Sequence, residues 1–101
     1  MRTFALYDNG NLVMEKEWAL FDKKPEGFVL IHLKENTYHK SPAKSIYKMV
    51  IKDGDNEIAT FNKVLFDSYE VLMDNGTYQG QEESEELKFS YNFFRFDIIE
   101  E

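Results

Sequence analysis

A chain of 101 residues and 12.0 kDa is long enough for one domain: folded-area scaling leaves about 6,000 Å² exposed of roughly 17,000 Å² in the unfolded chain. The hydrophobic share of 43% and the aromatic share of 16% supply one modest core and argue against a mainly disordered chain. Zero cysteines exclude a disulfide scaffold, a thiol nucleophile and cysteine-based zinc or iron–sulfur sites.

Charge is distributed unevenly. Residues 1–52 hold nine basic and six acidic side chains, whereas residues 53–101 hold three basic and thirteen acidic, together giving the net −7. No apolar run reaches the ~18–20 residues that span a membrane. Met1-Arg2-Thr3-Phe4 lacks the apolar stretch of a signal peptide. The expectation is a soluble, cytoplasmic domain with no membrane partner.

Two apolar-rich runs, Thr3 to Tyr7 and Leu12 to Trp18, flank Asp8-Asn9-Gly10-Asn11. Asn-Gly suits a type I′ turn, in which both central residues need positive φ. That register pairs Tyr7 with Leu12, Ala5 with Met14, Phe4 with Glu15 and Arg2 with Glu17. One face then carries Ala5, Tyr7, Leu12, Met14 and Trp18, and the other Phe4, Leu6 and Val13. Ala19 to Gly27 reads as a loop punctuated by Pro25 and Gly27. Phe28 to Leu33 is a near-continuous apolar strand suited to the middle of a sheet, and Glu35 to Pro42 is polar and turn-rich.

Residues 41–61 admit two structures. In a helix, Ser41 is the N-cap, Pro42 sits at N1, and Ala43, Ile46, Tyr47 and Val50 form the apolar stripe. In a hairpin, Gly54-Asp55 makes a type II′ turn that pairs Lys52 with Glu57 and Ile51 with Ile58. The β-branched and aromatic content favours the hairpin.

Val64 to Met73 is apolar-rich and runs into a second turn at Asp74-Asn75-Gly76-Thr77. Gly80 to Glu86 is an acidic loop. The C-terminal run alternates through Leu87, Phe89, Tyr91 and Phe93, then shifts phase to Phe94, Phe96 and Ile98, as a β-bulge there would cause. The expected fold is all-β, or α+β if one short helix forms near 42–52, built as an antiparallel meander, a small sandwich or a partly closed barrel.

Catalytic motifs are missing. No Gly-x-Ser-x-Gly elbow, phosphate-binding glycine loop or His-Glu-x-x-His pair occurs. His32 shares a strand face with Phe28 and Leu30 and reads as a packed residue, and His39 reads as loop. Asp53-Gly54-Asp55-Asn56-Glu57 starts like a calcium loop, but Ile58 replaces the turn glycine and Val64 the bidentate glutamate. No metal or other cofactor is expected. Lys40, Lys44, Lys48 and Lys52 recur every four residues; the net −7 argues against direct nucleic-acid binding through them.

Carboxylates are numerous and clustered: Asp53, Asp55 and Glu57 in one turn, Glu82, Glu83, Glu85 and Glu86 in another. The function read from this pattern is a non-enzymatic acidic protein-binding module. It would act as a small inhibitor docking its carboxylate-rich face on a basic protein, such as one that binds nucleic acid and accepts carboxylates in place of phosphates. The alternative is a small-ligand or accessory β-barrel with an aromatic-lined pocket.

Overall fold

The computed structural model describes residues 1–34, 40–73 and 90–101. Six strands form over these residues: β1 (Arg2–Asp8), β2 (Asn11–Lys24), β3 (Phe28–Leu33), β4 (Ile46–Asp53), β5 (Asn56–Met73) and β6 (Ser90–Glu100). Every pairing is antiparallel. The strand order β1-β2-β3-β6-β5-β4 closes on itself, because β4 also pairs with β1. The fold is therefore all-β. It consists of two three-stranded meanders, β1-β2-β3 and β4-β5-β6, joined along both outer edges rather than stacked as a sandwich.

Turn chemistry explains where the strands reverse. Asn9 and Gly10 have φ of 53° and 83°, the positive pair that a type I′ turn demands. Gly54 has φ of 67° and Asp55 does not share the positive sign, which fits the type II′ turn expected there. The loop expected over Ala19 to Gly27 is shorter than the sequence implies. β2 continues to Lys24, and only Pro25, Glu26 and Gly27 turn, closed by the Gly27 N–H on the Lys24 carbonyl at 3.0 Å. The added residues Leu20 to Lys24 pair with β3, so β2 serves β1 with its first half and β3 with its second.

The short helix near 42–52 does not form; Ile46–Asp53 is a strand. Period two places Tyr47, Met49 and Ile51 inside, at 5%, 0% and 0% exposure. The helical stripe would have spent its apolar face on Ala43 and Ile46, both exposed here, and left Met49 and Ile51 out of the core.

Bulges shift several expected registers. Tyr7 pairs with Leu12 as expected, but a shift between Leu6 and Tyr7 then pairs Leu6 with Met14, Ala5 with Glu15, Phe4 with Lys16 and Thr3 with Glu17. Phe4 and Leu6 accordingly share the interior with Met14 and Trp18, while Ala5, Tyr7 and Leu12 face outward. Lys52 pairs with Glu57, yet Ile51 meets Ala59 instead of Ile58, which is extruded and 45% exposed. β6 pairs with β3 without a shift from Phe93 to Asp97, so the aromatic phase change is no bulge: Phe94 and Phe96 point in, and Phe93 packs against His32 on the outer face, with ring centroids 5.4 Å apart. The shifts lie in the β1–β2, β2–β3, β4–β5 and β5–β6 ladders, whereas the β1–β4 and β3–β6 seams between the meanders run regularly. Extra residues on the outside of a strand let it coil tightly enough for a small sheet to close.

The core is aromatic. Phe94 meets Phe4, Phe66 and Tyr69 edge-on at 6.1, 5.6 and 5.3 Å between centroids, and Phe66 meets Phe96 at 5.4 Å. Val29, Ile31, Met49, Ile51 and Val64 fill the space around these rings. Each fully buried side chain of this size contributes roughly 1.5–3 kcal/mol over its exposed state.

Candidate functional site

The β4–β5 turn gathers Asp53, Asp55 and Glu57, all exposed. Their support comes from two other strands, β1 and β2. The Trp18 indole N–H of β2 donates to the carbonyls of Thr3 in β1 and Lys52 in β4, at 3.0 and 3.2 Å, tying both strands together just before the turn. The Gly54 N–H donates to the Met1 carbonyl at 2.7 Å. Arg2 lies over the Trp18 ring with its guanidinium carbon 5.2 Å from the centroid, and its Nε is 3.8 Å from the Asp53 carboxylate. Trp18 in turn packs edge-on to Phe21 at 5.2 Å.

The three carboxylates are held differently. Asp53 has Arg2 beside it, both about half-exposed. Glu57 accepts a hydrogen bond from the Thr60 hydroxyl two residues beyond the extruded Ile58. Asp55, at the tip, makes no ion pair or side-chain hydrogen bond among the described residues. A negative point charge thus stands on a braced turn, flanked by two carboxylates with local partners. The turn register places Arg2 opposite Glu17, but the bulge moves it: Arg2 pairs with Asp53 in the β1–β4 ladder, and Glu17 meets Lys34 at 3.6 Å.

Glu82, Glu83, Glu85 and Glu86 lie outside the described residues, as do His39 and the Asn75-Gly76 turn. The described residues themselves carry eleven basic and thirteen acidic side chains; residues 74–89 contribute five acidic and one basic. The charge contrast between sequence halves is partly mixed in space, since Arg2–Asp53 and Lys23–Glu101 ion pairs join the two.

Other sequence candidates resolve simply. Asp53 to Glu57 is a hairpin turn, and no group of three or more His, Asp or Glu side chains among the described residues could hold a metal ion. His32 is half-buried on the outer face, and burial lowers its pKa below the ordinary value; Asp22 and Lys24 act on it in opposite directions. No helix of the described residues is long and apolar enough to cross a membrane.

The sequence did not reveal the second surface of note, where Tyr7, Lys48, Val50 and Lys52 meet. The four-residue lysine spacing carried the signal, but it points to one face of a strand as well as to one face of a helix. Compared with protein-family models, with curated proteins and with solved structures, the chain matches none of them.

Proposed function

We propose that the chain is a non-enzymatic protein-binding module that presents carboxylates, Asp53, Asp55 and Glu57 together with Glu82, Glu83, Glu85 and Glu86, to a basic protein partner. The supporting observation is the bracing of the β4–β5 turn. Trp18, Arg2 and the Gly54–Met1 bond hold the carboxylate-bearing backbone before any partner arrives. Little backbone entropy is then lost on docking. The long-range attraction speeds encounter with a positive surface. Inhibition of a nucleic-acid-binding protein, with carboxylates standing in for phosphates, is the form of this activity that the acidic clusters suit.

The competing reading, a barrel with an aromatic-lined ligand pocket, draws less support. Phe4, Phe66, Phe94 and Phe96 are each 5% exposed or less and pack on one another.

Immobilised protein exposed to native lysate at low and at high salt is the direct test. A basic protein should be retained at low salt and released at high salt, because exposed charges are screened beyond about 8–10 Å at physiological ionic strength. A variant with Asp53→Asn, Asp55→Asn and Glu57→Gln should retain less of it. Equal retention by wild type and variant at both salts would remove the turn from the reading.

A further inference from the structure

The outer face of β1, β4 and β5 carries a groove of about 510 Å³. Its floor is Val50, which points away from the core yet is only 9% exposed, set between Ala5 of β1 and Thr60 of β5. Lys48 and Lys52 stand two residues to either side of Val50 on the same face, with Tyr7 in register with Lys48.

These two ammonium groups are unlike most other cations of the sheet. Arg2, Lys23, Lys24, Lys34, Lys63 and Arg95 each have a carboxylate within 4 Å. Among the described residues, Lys48 and Lys52 make no ion pair or side-chain hydrogen bond, although Glu57 is the cross-strand neighbour of Lys52. Glu57 is instead engaged by Thr60.

We propose that this groove binds an extended acidic peptide segment of a partner protein, with an apolar side chain on Val50 and carboxylates at Lys48 and Lys52. Strand spacing sets the pattern. Lys48 and Lys52 are four residues apart, about 13 Å at ~3.3 Å per residue, with the apolar floor midway. An extended chain reading acid-x-apolar-x-acid places its own side chains at the same intervals. Tyr7 adds an aromatic wall, a residue type favoured at recognition surfaces. A polynucleotide fits less well: its phosphates are continuous and would lie over the apolar Val50 floor as well as at the lysines, where the peptide sets an uncharged side chain.

The proposal is independent of the braced acidic turn except that Glu57 belongs to both, and there the two readings have opposite signs. Removing the Glu57 charge weakens attraction to a basic partner and strengthens it to an acidic peptide.

The probe is a fluorescein-labelled peptide Gly-Ser-Glu-Ser-Leu-Ser-Glu-Ser-Gly, followed by fluorescence anisotropy on the full chain at low and high salt. Wild type should bind it in a salt-sensitive way. Lys48→Gln with Lys52→Gln should weaken binding about three- to tenfold, the range of two exposed charge pairs. Glu57→Gln should tighten it, and Asp53→Asn with Asp55→Asn should leave it nearly unchanged. Equal binding by the double lysine variant, or by a peptide with Gln in place of both Glu, would overturn the proposal. So would tighter binding of an oligothymidylate through the same lysines, which would make the face a nucleic-acid surface. Should the double lysine variant fail to fold, the sign of the Glu57→Gln effect decides alone.

Discussion

Two outer faces of the same closed sheet use their cations in opposite ways. Over β3 and β6, Arg95 lies 3.8 Å above the Phe28 ring, its Nε 3.6 Å from Asp67 and its Nη2 3.3 Å from Asp97. Over β1 and β4, Lys48 and Lys52 flank an apolar floor and have no ion-pair partner among the described residues. In the first region the charge is neutralised within the fold, and the guanidinium covers an aromatic ring that would otherwise face water. In the second, the charge stays available to a partner. Net charge alone does not distinguish these cases. The register does, because it decides which residues stand beside a given cation.

The largest expected effect probes what both faces share. Phe94 is fully buried and touches Phe4, Phe66 and Tyr69, so Phe94→Ala should cost about 3–5 kcal/mol in chemical denaturation. Both faces should unfold in the same transition. Two separate transitions, read from Trp18 fluorescence and from backbone circular dichroism, would break the view of one cooperative ring.

Turn strain comes next. Gly10 has φ of 83° and open space around its missing Cβ, so Gly10→Val should destabilise by roughly 1–3 kcal/mol through backbone conformation alone. An unshifted midpoint would show that the turn relaxes to another type.

A paired substitution then sharpens the contrast between faces. Arg95→Gln removes a ring contact and two partly exposed ion pairs, about 1 kcal/mol together. Lys48→Gln removes none, so its effect should stay within about 0.5 kcal/mol. Similar losses at the two sites would contradict the distinction.

Much of this arrangement was legible in the residues. Asn9-Gly10 and Gly54-Asp55 marked two of the turns, and the Phe28 to Leu33 run marked a strand paired on both sides. What stayed hidden were the bulges. A one-residue slip reverses every side chain beyond it, so the same alternation in residues 3–7 let Phe4 and Leu6 be assigned to the face opposite Met14. Closure was hidden as well, since the β1–β4 seam joins residues about 45 positions apart by a register that no local pattern carries. At the candidate site the acidic residue types were readable, but the brace beneath them was not: Trp18 reaches Thr3 and Lys52 only once three strands are assembled.

The smallest expected effect is a pH response on the Arg95 side of the molecule. Burial lowers the His32 pKa from its ordinary 6.5, so the unfolded chain takes up a proton first as the pH falls. The contribution of this residue to stability is complete above pH 6.5 and declines as the pH drops through 6.5 toward the lower folded value. Substituting His32→Gln should flatten that part of a stability–pH curve. An unchanged slope would place the response on other groups.

If carboxylates on the braced turn draw in a basic partner, association kinetics will register their loss. With the basic protein retained from lysate, Asp53→Asn, Asp55→Asn and Glu57→Gln together should slow the on-rate while the off-rate changes less. Glu82, Glu83, Glu85 and Glu86 to Gln should do the same, both effects shrinking at high salt, and Lys44→Gln with Lys48→Gln should leave association unchanged or slightly faster. Acidic variants that associate as fast as wild type, alongside a lysine variant that loses binding, would instead make the lysine face the working surface.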